Sequence, residues 1–141
     1  SISGIQNHPV ENVVLQNITI IYDGGGDTSV AKFPLESFDK IPEAETSYPE
    51  FSMFSEVPVW GLYIRHVQGI TLKNVKLVNM KKDYRTALLV NDAKNVTLQN
   101  LSVRGATSLP VLLFNNVKSL QLQKIDIPGP KDKTIKIYRN E

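Results

Sequence analysis

Two histidines, fourteen acidic residues and no cysteine are the groups from which this 141-residue chain can build a chemical site. His8 stands before Pro9 in a loop and His66 ends a strand-like run, so they make no metal pair by spacing. Asp23 and Asp27 flank three glycines and would hold calcium only if further oxygens joined them. No two acidic residues are adjacent, and no Ser/His/Asp spacing suggests a nucleophile. Gly24 to Gly26 lacks the Lys-Ser/Thr that completes a phosphate loop, and it does not open a helix. Without cysteine, disulfide and thiol chemistry are excluded. Asn17, Asn95 and Asn100 match the glycosylation sequon, but they fit better as turn residues bonded to backbone. No metal and no cofactor is expected.

The elements that carry these residues are legible from a repeat. Gly69 opens Gly-Ile-Thr-Leu-Lys-Asn-Val-Lys-Leu, Asn95 opens Asn-Val-Thr-Leu-Gln-Asn-Leu-Ser-Val, and Ser119 opens Ser-Leu-Gln-Leu-Gln-Lys-Ile-Asp-Ile. A fourth copy begins at Asn12. Self-similarity near 25 residues marks a solenoid in which each copy stacks on the next. Ile70 and Leu72, Val96 and Leu98, and Leu120 and Leu122 alternate inward against outward Thr71, Thr97 and Gln121. Asn74, Asn100 and Lys124 interrupt the strand, and the apolar pattern resumes at Val75, Leu101 and Ile125. An earlier strand in each copy puts Leu62, Ile64, Leu88, Val90, Leu112 and Phe114 on one apolar face. Tyr63, Arg65, Leu89, Asn91, Leu113 and Asn115 form the other face, which reads as an outer surface. The expected fold is all-β: a right-handed parallel β-helix of four to five coils, with corners of Asn, Gly and Lys.

One departure breaks the period. Val13 and Ile70 match but lie far apart, so residues 23–60 form an insertion. Pro34, Pro42, Pro49 and Pro58 forbid a long helix or a central strand there. Tyr48, Phe51, Met53, Phe54 and Trp60 make its second half apolar, so it should fold back on the flank of the coils. It reads either as a packed loop with buried aromatics or as the rim of a ligand cleft with an aromatic platform for a sugar ring.

Composition bounds the partners. A net charge of +2, with no basic run beside stacking aromatics, argues against nucleic acid. No apolar run is long enough to span a bilayer. Ile2 to Ile5 already resembles a strand and no cap precedes it, although an open coil exposes apolar side chains and unpaired edges. The chain is therefore expected to be the C-terminal end of a longer β-helix, partnered by upstream coils of the same polypeptide. The alternative is a small autonomous solenoid whose open N-terminal coil is covered by self-association. Toward the C-terminus, Pro128, Gly129 and Pro130 break the pattern before a last polar strand, Thr134 to Tyr138.

The repeats, together with Gly-Leu-Tyr-Ile-Arg-His at Gly61 to His66 and Tyr-Pro-Glu-Phe-Ser-Met-Phe at Tyr48 to Phe54, resemble the C-terminal part of bacterial glycoside hydrolase family 28 proteins. The likeness covers nearly the whole chain and is closest to galacturonidase-type proteins. It implies a parent enzyme, a polygalacturonase or exo-galacturonidase, that is periplasmic or secreted and hydrolyses pectic galacturonan. That family inverts at the sugar with aspartates in Asn-Thr-Asp and Asp-Asp motifs, beside Gly-His-Gly and Arg-Ile-Lys. None of the four motifs occurs in this chain. The resemblance therefore places the catalytic coils upstream, leaves no catalytic residue in this chain and predicts that the chain alone is inert.

The resemblance also carries one contact. The basic strand of the family alternates around an inward isoleucine, as Tyr63-Ile64-Arg65 does here. Arg65 could take a galacturonate carboxylate in the fork geometry of a guanidinium, and Tyr63 could stack on a sugar. The competing structural reading is an exposed strand pair, or an Arg65 that ties down the insertion through Glu43, Glu45, Glu50 or Glu56. Asn91 and Asn115, on the same face, would form an asparagine ladder. Three functions stand in order: a non-catalytic piece of a pectin hydrolase, a carbohydrate-binding or adhesin-like solenoid, and a calcium-dependent polysaccharide lyase whose acidic cluster is missing.

Overall fold

A computed structural model describes residues 1–26, 28, 38, 40–47 and 56–138. Among them the regular elements are six strands: β1 (Ile2–Ser3), β2 (Val10–Gly24), β3 (Val59–Lys81), β4 (Thr86–Arg104), β5 (Leu112–Asp126) and β6 (Ile135–Tyr138). All pair in parallel within one sheet. The order is β1-β3-β4-β5-β6, with β2 also on β3. β1 matches the first part of β3 (Ile2 to Ile64) and β2 the rest (Val13 to Ile70), so together they form one level beside it. Ile70, Val96 and Leu120 stand in register, as the repeat predicts.

A flat strand of the length of β3, 23 residues, would run about 75 Å. Left-handed residues divide it into shorter arms. They stand in three columns: His66, Asp92 and Asn116; then Asn12, Gly69, Asn95 and Ser119; then Asn17, Asn74, Asn100 and Lys124. Asparagine dominates because its short polar side chain tolerates positive φ better than most. Each such residue also shifts the alternation by one step. The buried residues of β3 run Leu62, Ile64, then Val67, then Ile70, Leu72, then Val75, Leu77, changing parity at each column. β4 repeats this through Leu88, Val90, Ala93, Val96, Leu98, Leu101 and Val103. Every arm thereby faces a single apolar core. Burying each leucine or valine there contributes roughly 1.5–3 kcal/mol.

The second face of the early arms is not the outer surface that its mixed composition suggests. Tyr63, Arg65, Leu89, Asn91 and Asn115 are buried. Phe38, Ile41 and Val57 from the insertion, with Val59, pack on Tyr63 and Leu89 as a second cluster. A polar-apolar strand face reads as solvent-exposed only when nothing in the chain returns to cover it. The described part of the insertion thus folds back on the flank; Tyr48, Phe51, Met53 and Phe54 lie outside the described residues. The bounds 23–60 also narrow. Asp23 and Gly24 end β2, and Val59 and Trp60 begin β3. Trp60 belongs to the main core, set edge-on to Tyr22 at 5.4 Å between centroids. Its Nε1–H donates to Thr107 Oγ1 at 2.9 Å, so it is not a surface platform.

The connections between levels are tied by buried polar groups. Asp83 accepts from the Gly26 and Arg85 backbone N–H groups and from the Arg85 guanidinium. Burial pushes its carboxyl up, but these donors and the nearby positive charge outweigh it and hold the carboxyl below its ordinary range. At Gly105 a Cβ would lie 1.7 Å from Asn79 Oδ1, and φ is +102°, so only glycine fits that turn.

Candidate functional site

The first column of left-handed residues carries the most concentrated polar chemistry among the described residues. His66, Asp92 and Asn116 stack level upon level because Val67, Ala93 and Val117, the residues after them, are in register. Positive φ throws their side chains off the strand face toward one edge. The insertion brings Glu43 to the same place. His66 Nε2 lies 2.7 Å from Glu43 Oε1, and His66 Nδ1 lies 2.6 Å from Asp92 Oδ2. Asn116 Nδ2 donates to Asp92 Oδ1 at 2.8 Å. Gln6 donates its backbone N–H to Glu43 Oε2, and an Arg65 amine sits 3.3 Å from Glu43 Oε1.

The result is a continuous polar chain, Gln6–Glu43–His66–Asp92–Asn116, braced by Arg65. It borders an open cleft of about 550 Å³ lined also by Ile41. A second cleft of about 200 Å³, between Ile5, Asn7 and Pro9 on one side and Ala93 and Lys94 on the other, shares His66 and Asp92. A third, of about 140 Å³, opens between Asp92, Asn116 and Lys118. Asp92 is thus the meeting point of all three, and its side chain is 49% exposed against 9% for His66.

Charge is closely balanced here. Burial pushes the Glu43 carboxyl up; the His66 hydrogen bond, the Gln6 N–H and the positive charges of Arg65 and His66 pull it down further. The net effect holds Glu43 below its ordinary value of 4.5, so it is ionised at neutral pH. A neutral imidazole donates from one nitrogen, whereas an imidazolium donates from both. Carboxylates on both ring nitrogens therefore suit the charged ring.

Of the residues singled out from sequence, Arg65 is part of the lining of the 550 Å³ cleft, whereas Tyr63 is buried beneath the insertion. Arg65 is 5% exposed, donates to the Ile41 carbonyl at 2.8 Å and pairs with Glu43, which is the tie to the insertion weighed above. Tyr63 is 2% exposed, under Phe38 and Ile41. The ladder expected on that face exists: Asn115 Nδ2 donates to Asn91 Oδ1 at 2.8 Å. Of the sequon asparagines, Asn17 and Asn100 bond to side chains rather than backbone, joining Asn74 in a second ladder of 2.8 and 2.9 Å. His8 is exposed, and Asp27 lies outside the described residues. Among the described residues no group of three or more acidic, histidine or cysteine side chains is placed to hold a metal ion.

His66, Glu43, Asp92 and Asn116 were not assigned as a site by sequence reasoning. The signal was present: the offsets that align Arg65, Asn91 and Asn115 also align the residues after them. Glu43 carried no such signal beyond its place among the acids within reach of Arg65. Compared with protein-family models, curated proteins and solved structures, the chain finds no match.

Proposed function

We propose that the chain is a segment of a right-handed parallel β-helix that binds a polysaccharide along the Glu43–His66–Asp92–Asn116 edge without cleaving it. Support for the β-helix comes from parallel levels in register, three columns of left-handed residues and one core shared by every arm. The right hand follows from the near-universal handedness of crossovers between parallel strands. The observation that carries the binding role is the 550 Å³ cleft edged by hydrogen-bonding groups on successive levels, a spacing suited to successive hydroxyl-bearing rings. The absence of cleavage is supported by the state of the two acids. Glu43 is held by His66, Arg65 and Gln6, and, while the ring is charged, Asp92 by His66 and Asn116, so in that state neither is placed as a free acid or base.

The substrate class is the pectic galacturonan implied by the family resemblance, with hydrolysis assigned to upstream coils of a secreted or periplasmic parent. In this scheme Arg65, in the lining of the cleft, faces the sugar directly, whereas Tyr63 reaches one only when the residues over it are displaced. Isothermal titration with oligogalacturonates tests the reading. The expected result is binding that Asn116→Ala and Asp92→Ala each weaken, with no reducing sugar released by the chain alone. Release of reducing sugar would overturn the non-catalytic assignment, and the absence of binding to any oligosaccharide would overturn the carbohydrate role.

A further inference from the structure

His66 has two acid partners and, once neutral, one proton to share between them. The two are not equivalent. Glu43 comes from the insertion, accepts also from Gln6, and lies beside the Arg65 guanidinium, with its side chain 19% exposed. Asp92 comes from β4, keeps Asn116 on its other oxygen and is 49% exposed. The charged groups around the ring are Glu43 from the insertion, Arg65 from its own strand, and Asp92 and Lys94 from β4. Lys118 of β5 stands on the far side of Asp92. The N-terminal segment offers Ile5, Gln6, Asn7 and Pro9, none titratable, and its His8 is exposed.

A neutral ring presents a lone pair to one carboxylate oxygen less than 3 Å away, and that contact must open. Glu43 is the more enclosed and is fixed also by the Gln6 N–H and the Arg65 charge, so leaving it without the ring's proton is the worse outcome. Asp92 can turn its oxygen into water at little loss.

We infer that His66 is a pH-operated switch that, on losing its Nδ1 proton to solvent, keeps Nε2–H on Glu43 and hands Asp92 Oδ2 to the cleft as an acceptor for a hydroxyl-bearing ligand. The switch stands on the protein's own geometry; only the ligand rests on the carbohydrate reading. The site therefore closes on itself in acid, with Asp92 occupied, and opens toward alkaline pH at the point where the three clefts meet.

The test is nuclear magnetic resonance of the whole chain, following the His66 ring ¹⁵N shifts and the Asp92 carboxyl ¹³C shift through a pH titration. The expected neutral form is the Nε2–H tautomer, with the Asp92 signal moving at the same midpoint as the ring. An Nδ1–H tautomer, or an Asp92 signal indifferent to the ring, would overturn the switch. Glu43→Gln should shift population toward Nδ1–H; an unchanged tautomer ratio would remove Glu43 as the cause. Oligosaccharide affinity should rise roughly fivefold as the ring loses its proton, the worth of one hydrogen bond, and stay flat in Asp92→Asn. Absence of binding at every pH would sink the carbohydrate reading, while the ring measurement would still decide the switch.

Discussion

Two columns of this molecule are built alike and have come to different ends. Asn17, Asn74 and Asn100 sit at one corner in left-handed conformation, exposed, each amide bonding the next level. His66, Asp92 and Asn116 sit at another corner, in the same conformation and at the same level spacing. The first column is a neutral repeat and ends in itself. The second is mixed in charge, half enclosed, and recruits Glu43 from outside the repeat. Where the repeat is kept, the column holds the stack together; where it is abandoned, charge and a cleft appear.

The largest effect available should strike both columns at once. Leu98→Ala, in the fully buried core behind them, should destabilise the chain by about 2–5 kcal/mol in denaturant unfolding. A loss confined to one column, read by local hydrogen exchange, would show that the columns do not share a wall. Next, the two corners should separate. His66→Ala leaves the enclosed Glu43 carboxylate without its ring partner, while the half-exposed Asp92 can turn to water, and should cost about 2 kcal/mol. Asn74→Ala loses two exposed amide bonds and the asparagine preference for positive φ, and should cost about 1 kcal/mol. Equal losses would erase the distinction drawn between them.

Acid should also act on one column only. The Glu43 carboxyl is depressed below 4.5, so its stabilisation is full above that value and fades as pH falls through the lower folded value. Asp83, depressed from 3.8, adds the same sign at still lower pH. Thermal melts should therefore decline below about pH 4.5, less so in Glu43→Gln, and with no change of slope in Asn74→Ala. The smallest effect belongs to neither column. Arg104 and Asp126 pair on the open surface, and Arg104→Ala should change stability by less than about 0.5 kcal/mol.

How much of this could be read in advance follows from the same contrast. The arms Ile70–Leu72 and Val96–Leu98, and the breaks at Asn74, Asn100 and Lys124, were legible because period-two burial and turn chemistry repeat in the sequence. The burial of Tyr63, Leu89 and Asn91 was not, because the cover comes from Phe38, Ile41 and Val57, which repeat nothing. The polar chain was half legible. Register alone puts His66, Asp92 and Asn116 together, but a histidine at a corner looks like the end of a strand unless its neighbours' change of parity is noticed. Glu43 could be placed only by the path of the insertion.

The change of parity at each left-handed corner gives the chain something like a reading frame. An arm between corners cannot gain or lose one residue without turning its remaining side chains inside out, core to solvent. The connections between levels are free of that constraint. The spacing between copies falls from 26 to 24 residues from one pair of levels to the next, yet every arm keeps its partners. Length variation in proteins built this way should accordingly collect between levels, and a single-residue deletion near Thr71 should be far more damaging than the loss of two residues between Arg104 and Leu112.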